Sequence, residues 1–144
     1  MARNDPYRNL RFRVEIDGIT QAGFSECQME NAATEVIEYR EGTDPTHMRK
    51  LSGRTSFGNI ILKWGVTDSI ELWTWFQNIV QLGAQGNRKN ISITLIDEAG
   101  ADKARWEVVE AWPMRYNRPD FNALANDVAI EELEIACESW KRVK

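Results

Sequence analysis

Beyond a polar N-terminal segment the chain alternates strictly, with Leu10, Phe12, Val14 and Ile16 set against Arg11, Arg13, Glu15 and Asp17. A period of two predicts a strand with one buried and one wet face, and Asp17-Gly18 supplies the turn that ends it. A second strand is expected near Ala22 to Met29, its start loosened by Gly23. Ala32 to Arg40 alternates again, with Ile37 and Tyr39 opposing Val36, Glu38 and Arg40. Neither of its faces is cleanly polar, which suits a strand covered on both sides or one that meets a neighbouring chain. Further strands are predicted at Asn59 to Trp64, Ile91 to Ile96, Arg105 to Trp112 and Asp127 to Glu138. Asp97 to Lys103 reads as the loop of a hairpin joining the middle two of these. Pro113 forces an extended residue before it, so a corner is expected at Trp112 to Tyr116. In the last strand Val128 and Ile130 keep one parity, and Leu133, Ile135 and Cys137 the other. A β-bulge near Glu131 and Glu132 would turn both sets inward and leave Glu132, Glu134 and Glu138 together on the opposite face.

One stretch has a different period. From Thr67 to Gly83 the apolar residues recur at helical spacing, with Leu72, Trp73, Phe76, Ile79 and Val80 on one broad side and Trp75 and Leu82 at its border. Glu71, Thr74, Asn78 and Gln81 occupy the other side. Asp68, followed three residues later by Glu71, predicts a capping box at the start, and Gly83 predicts a stop at the end. Burial of the five central side chains, at about 1.5–3 kcal/mol each, makes this face a large part of a small core. The helix is expected to cover an open end or side of a sheet. Its border residues Trp75 and Leu82 are also expected to meet another subunit, because large aromatics serve as interface anchors.

Glu41 to Ser56 has no periodicity and contains Gly42, Pro45 and Gly53. Loops beyond about 12–15 residues are uncommon in compact domains unless they serve a function. Arg40, Arg49, Lys50 and Arg54 outweigh Glu41 and Asp44 here, while the whole chain carries a net charge of −4. The stretch is read as an arm that docks on an acidic surface of another copy, in preference to a solvated flap. The fold class that follows is mainly β: a small antiparallel β-barrel or sandwich with one flanking α-helix (about 67–83) and a long extended loop (about 41–56). A single domain spanning residues 1–144 is expected.

Composition narrows the function classes. Two cysteines, Cys27 and Cys137, lack both a disulfide framework and metal spacing, and are read as free. The acidic balance argues against general affinity for nucleic acid. No run approaches membrane-spanning length and the N-terminus lacks a signal-like segment, so folding in a cytoplasm is expected. The single histidine, His47, stands without a second histidine or a cysteine nearby, which argues against zinc binding and histidine-based catalysis. The glycines have neither Walker nor dinucleotide spacing. Glu131, Glu132, Glu134 and Glu138 read as a charged stripe ahead of a glycosidase pair. Asp97, Glu98 and Asp102 lack EF-hand spacing. The six tryptophans read as core or interface residues ahead of base-stacking platforms. No catalytic residue, metal ligand or cofactor is predicted.

The order of these segments resembles the tail-tube proteins of contractile phage tails and of extracellular contractile injection systems. The resemblance is carried by YRNLRFRVEIDG (Tyr7 to Gly18), AGFSE (Ala22 to Glu26), EYREG (Glu38 to Gly42) and RKLSGRTSFGNIILKWGVT (Arg49 to Thr67). It continues through LWTWF (Leu72 to Phe76), RKNISITLIDEAG (Arg88 to Gly100), ARWEVVEAWPMRY (Ala104 to Tyr116) and PDFNALANDVAIEELEIACE (Pro119 to Glu138). Ser52 stands where the family pattern has proline, and Trp64 where a basic residue is common.

The resemblance implies a β-barrel with one flanking helix, related to the secreted ring protein of type VI secretion. It implies hexameric rings that stack into a hollow tube, driven by a contractile sheath through a target envelope to deliver DNA or protein cargo. Implied partners are other copies of the chain, the sheath protein, baseplate hub and initiator tube proteins, tape-measure and terminator proteins, and cargo in the lumen. No specific nucleic-acid site and no membrane insertion by this chain alone are implied. Assembly in the producing cell's cytoplasm, into a phage tail or an injection particle, is expected. Arg40, Arg49, Lys50, Arg54, Trp75 and Leu82 are the expected interface residues, and Glu132, Glu134 and Glu138 the expected lumen-facing ones. Alternative readings are a type VI-like secreted ring that carries effectors, an initiator or terminal tube paralogue, a monomeric ligand-binding β-barrel and, last, a carboxylate-using hydrolase.

Overall fold

The computed structural model describes residues 11–19, 23–40, 42, 46, 48–124 and 129–144. The elements in chain order are β1 (Arg11–Ile16), β2 (Phe24–Met29), β3 (Ala33–Tyr39), β4 (Arg49–Ser56), β5 (Ile60–Gly65), α1 (Glu71–Leu82), β6 (Lys89–Ile96), β7 (Asp102–Asn117), β8 (Ile130–Ala136) and β9 (Ser139–Arg142). Expectations resting on Leu10, Ala22, Glu41, Asp44, Pro45, His47, Asp127 and Val128 lie outside the described residues.

All strand pairs are antiparallel, and they form a sandwich-like arrangement and not a closed barrel. One layer joins β1, β6, the first half of β7 and β9. The other joins the second half of β7 to β8, β5 and β2. β7 therefore belongs to both layers and must turn between them. It does so by a bulge: Ile91 faces Val108 but Lys89 faces Ala111, which leaves one extra residue on β7. Glu110 takes φ 54 there, and its amide donates to Asn90 Oδ1 at 3.3 Å. A second shift lies between Pro113 and Arg115. The corner thus begins ahead of Pro113, and the strand runs on through the proline to Asn117.

The core fills the space between the layers at the period-two positions. Val14, Ile16, Ile91, Ile93 and Val108 come from the first layer, and Ile60, Leu62, Trp64, Leu133 and Ile135 from the second. Phe24 sets its ring edge-on to Trp64 at 6.0 Å. Burial pushes the Cys27 thiol up to about 12, and both cysteines are free, as expected.

Three expectations need correction. First, residues 49–56 are not loop: β4 pairs with β3, with Ile37 opposite Leu51, Glu38 opposite Lys50 and Tyr39 opposite Arg49. The ribbon is exposed along nearly its whole length and packs on no core. Its sequence therefore had no buried face to betray it. Second, β8 carries no bulge at Glu131 and Glu132, since its ladder with β5 is regular from Ile130 to Ile135. The irregularity sits on β7 instead, so Ile130 stays on the outer face, 40% exposed. Glu131 keeps inner parity, and its carboxylate accepts the Tyr116 hydroxyl at 2.6 Å. Burial, then that hydrogen bond, raises the Tyr116 pKa to about 12.

Third, the helix starts at Glu71 and has no side-chain cap. Thr67 Oγ1 accepts the Ser69 amide at 3.3 Å and Ser69 Oγ the Glu71 amide at 3.5 Å, so local turns occupy the residues where the Asp68 capping box was expected. Gly83 does end the helix at φ 81, with its amide donating to Ile79 O at 2.9 Å. The buried helix positions are Leu72 and Trp75, flanked by Phe76, whereas Trp73 and Val80 are exposed.

Candidate functional site

The surfaces that stand out are those a single copy leaves uncovered. The β3–β4 hairpin is a two-stranded ribbon outside both layers. Arg40 follows β3, while Arg49, Lys50 and Arg54 lie on β4, all exposed. Among them stand Val36, Ile37, Tyr39, Met48 and Leu51, each more than a third exposed. The cations are therefore pinned by cross-strand pairing, and interleaved with apolar side chains, instead of hanging on a flexible loop. At its root the ribbon is clamped. Glu30 N donates to Asn59 O at 2.9 Å, and Gly58 O accepts the Trp140 indole N–H at 3.3 Å.

The second layer offers a polar outer face. Opposite the buried Leu133 and Ile135, Glu132 faces Lys63 and Glu134 faces Ile61 across the β5–β8 ladder. Glu134 accepts Asn59 Nδ2 at 3.0 Å and sits 3.8 Å from Arg115, and Lys63 pairs with Glu26 at 3.4 Å. Glu138 is not part of this group. It lies beyond the end of β8, where Arg88 holds it at 2.6 Å. The layer's two margins are open among the described residues: β2 pairs only with β5, and Arg115–Asn117 pair only with β8.

On the helix, Trp75 is 3% exposed and its indole N–H donates to Asn87 O at 2.8 Å, so it serves the subunit's own core and presents nothing to a neighbour. Leu82 is 72% exposed. The sequence reading overlooked how much of the helix is apolar outside its buried side, although the spacing of Ile70, Trp73 and Val80 shows it. A cleft of about 310 Å³ separates α1 from the segment before β6. Its lining holds one carboxylate, Glu71, with Asn78, Asn87, Arg88 and Lys89. Among the described residues no group of histidine, cysteine or carboxylate side chains is placed to hold a metal ion, and no helix is long and apolar enough to cross a membrane.

Among the described residues, the sandwich thus has two open margins, a ribbon outside both layers and an exposed helix side. Residues 8–141 match the family model of the T4-like virus tail tube protein gp19. The chain belongs to that tail tube family. Likeness to solved structures agrees. A chain of the PVC extracellular contractile injection system's sheath/tube terminator in the extended state is 30% identical, with a TM-score of 0.85 over 99% of this chain and 100% of that one. A chain of the PVC sheath-tube complex in the extended state is 29% identical, with a TM-score of 0.82 over 96% and 92%. Hcp1 from Flavobacterium johnsoniae shares the fold, at 18% identity and a TM-score of 0.57 over 92% and 94%. No curated protein matches the chain. The tail tube family is a structural one.

Proposed function

We propose that this protein is the repeating subunit of the inner tube of a contractile tail or injection system, with no catalytic role. Six copies close into a ring by head-to-tail contacts in which the β2 margin of one copy meets the β7 margin of the next, so that neither margin of that layer is left open. Rings stack into a hollow tube, which a sheath drives through a target envelope to deliver DNA or protein. The observation that carries this reading is the pairing of two open margins on one layer with a ribbon that no part of its own subunit covers. The outer face of that layer, with Glu132, Glu134 and Lys63, is the surface best suited to line a wet lumen. Glu138, held apart by Arg88, stands outside it.

Arg40, Arg49, Lys50 and Arg54 on the ribbon, together with Leu82 on the helix, are the proposed subunit contacts. Ribbon cations set register and direction more than raw affinity. Baseplate hub and initiator proteins would template the first ring, tape-measure and terminator proteins would fix the last, and assembly would take place in the cytoplasm of the producing cell. The test is the double substitution Arg49→Glu with Lys50→Glu. Both side chains are exposed, so the variant is expected to fold with unchanged circular dichroism yet form no stacked tubes. Tubes of wild-type length and yield would remove the ribbon from this account.

A further inference from the structure

No contact in the tube reading uses the cleft beside α1. At about 310 Å³ it lies at the lower end of the range in which proteins hold small ligands. One wall is the first half of the helix, where Thr74 and Asn78, four residues apart, share a face. The other is made by Gly18 and Ile19, which follow β1, and by residues 86–89, which lead into β6. Ile19, Ile70 and Trp75 supply its apolar surface, and Trp75 is fixed in place by its indole bond to Asn87 O at 2.8 Å.

The polar groups of the lining divide into those already engaged and those that are not. Arg88 is held by Glu138 at 2.6 Å, and Asn87 Nδ2 donates to Gly83 O at 3.0 Å. Glu71, the one carboxylate of the lining, has an interaction of its own. Lys89 differs from these. It is half-buried, yet its ammonium makes no ion pair or hydrogen bond among the described residues. A lysine is seldom withdrawn from water without a partner. The ammonium lies against the turn after β1, since a β-carbon at Gly18 would stand 3.3 Å from Lys89 Nζ. Across the cleft, the Thr74 hydroxyl and the Asn78 amide are likewise without partners among the described residues. A cation on one wall, a hydroxyl and an amide on the other, and apolar surface beside them form the arrangement that orients a small amphipathic ligand. The sign of the charge follows from the lining: Arg88 and Lys89 stand against Glu71 alone. One unengaged ammonium matches one negative charge, and Glu71 disfavours an anion that carries two or more.

We propose that this cleft binds a small organic monoanion, a carboxylate on an apolar body about the size of one N-acylated amino acid. Its carboxylate meets Lys89, its polar groups meet Thr74 and Asn78, and its body lies on Ile19 and Trp75. The site is complete within one subunit, so the proposal stands or falls separately from the tube reading. The test is a titration of the unassembled subunit with N-acetyl-L-leucine, followed by amide and indole NMR shifts. Two controls run beside it: N-acetyl-L-leucinamide, which keeps the body and loses the charge, and acetate, which keeps the charge and loses the body. The probe is expected to bind with a dissociation constant of about 1 mM or tighter, shifting Gly18, Lys89 and the Trp75 indole, and both controls to bind about tenfold more weakly or worse. Lys89→Gln is expected to weaken the acid about tenfold and leave the amide unchanged. Thr74→Phe, at an exposed helix position, fills the cleft and is expected to abolish binding of both, with circular dichroism checking that each variant is folded. No shift at probe concentrations well above 1 mM would overturn the proposal. So would acid and amide binding alike, Lys89→Gln binding the acid as the wild type does, or shifts that fall away from the cleft.

Discussion

Gly58→Ala tests how the hairpin is held. A β-carbon at Gly58 would stand 2.4 Å from Glu30 Cβ, 2.5 Å from its carbonyl carbon and 2.6 Å from its carbonyl oxygen. Two of these neighbours are backbone, so no rotamer change can clear them. The strands must part by about 1 Å to reach ordinary contact near 3.5 Å. That movement breaks or stretches the Glu30 N to Asn59 O bond of 2.9 Å and displaces Gly58 O, which accepts from Trp140 at 3.3 Å and from Cys137 Sγ at 3.8 Å. Overpacking costs about 1–3 kcal/mol, and a lost hydrogen bond adds about 1 kcal/mol. A total of roughly 2–4 kcal/mol is a large share of the roughly 5–15 kcal/mol that holds a domain together. In a chain of this length it lowers the melting temperature by roughly 5–15 °C. Thermal and urea unfolding of the unassembled subunit measures it, with Gly42→Ala, where nothing among the described residues lies within 4 Å, as the control. A Gly58→Ala melting temperature within about 1 °C of wild type would refute the clamp. Because the same residue sets the angle of the ribbon, the variant is also expected to stack poorly at temperatures where it is fully folded.

Other outcomes follow from the strained and shifted groups. Glu110→Gly relieves a left-handed backbone at φ 54 and gives up only the 3.9 Å approach to Arg88, so stability is expected to rise by about 1 kcal/mol in urea unfolding. Tyr116 is held neutral, with its pKa raised to about 12 by burial first and by Glu131 second. Between pH 10 and 12 the unfolded chain therefore binds fewer protons than the native one, and stability falls as pH rises through that window. Tyr116→Phe should flatten this part of the pH profile, and an unchanged slope would show that Tyr116 does not set it. Cys27, likewise raised to about 12, is expected to resist thiol reagents at pH 8 in the folded protein and to react once unfolded.

The strands with one buried face were plain in the sequence, because Val14 and Ile16, Ile91 and Ile93, and Leu133 and Ile135 alternate with polar residues wherever a layer meets the core. β4 was not plain. Arg49-Lys-Leu-Ser-Gly-Arg-Thr-Ser never alternates, since its faces are exposed and only pairing with β3 makes it a strand. Likewise the turn of β7 depends on a ladder partner, Asn90, that no local pattern reveals. The helix shows a further limit. Periodicity located it but could not say which of its apolar sides would meet the core, because Trp73, Trp75 and Val80 are alike in hydrophobicity. Contact with the Asn87 carbonyl and with Tyr116 decided that, drawing Trp75 inward and leaving Trp73 and Val80 outside. The ribbon cations and Glu132 and Glu134 were legible as surface groups. Their companions on that surface, Lys63, Asn59 and Arg115, come from other strands and emerge only with the register.

The central claim is that copies of this chain join into rings and tubes. Negative-stain electron microscopy of the purified protein, with light scattering on the same sample and with sheath and baseplate partners added, tests it most directly. Six-membered rings or stacked hollow tubes are the predicted result. A protein that stays a uniform monomer with those partners present would contradict the account.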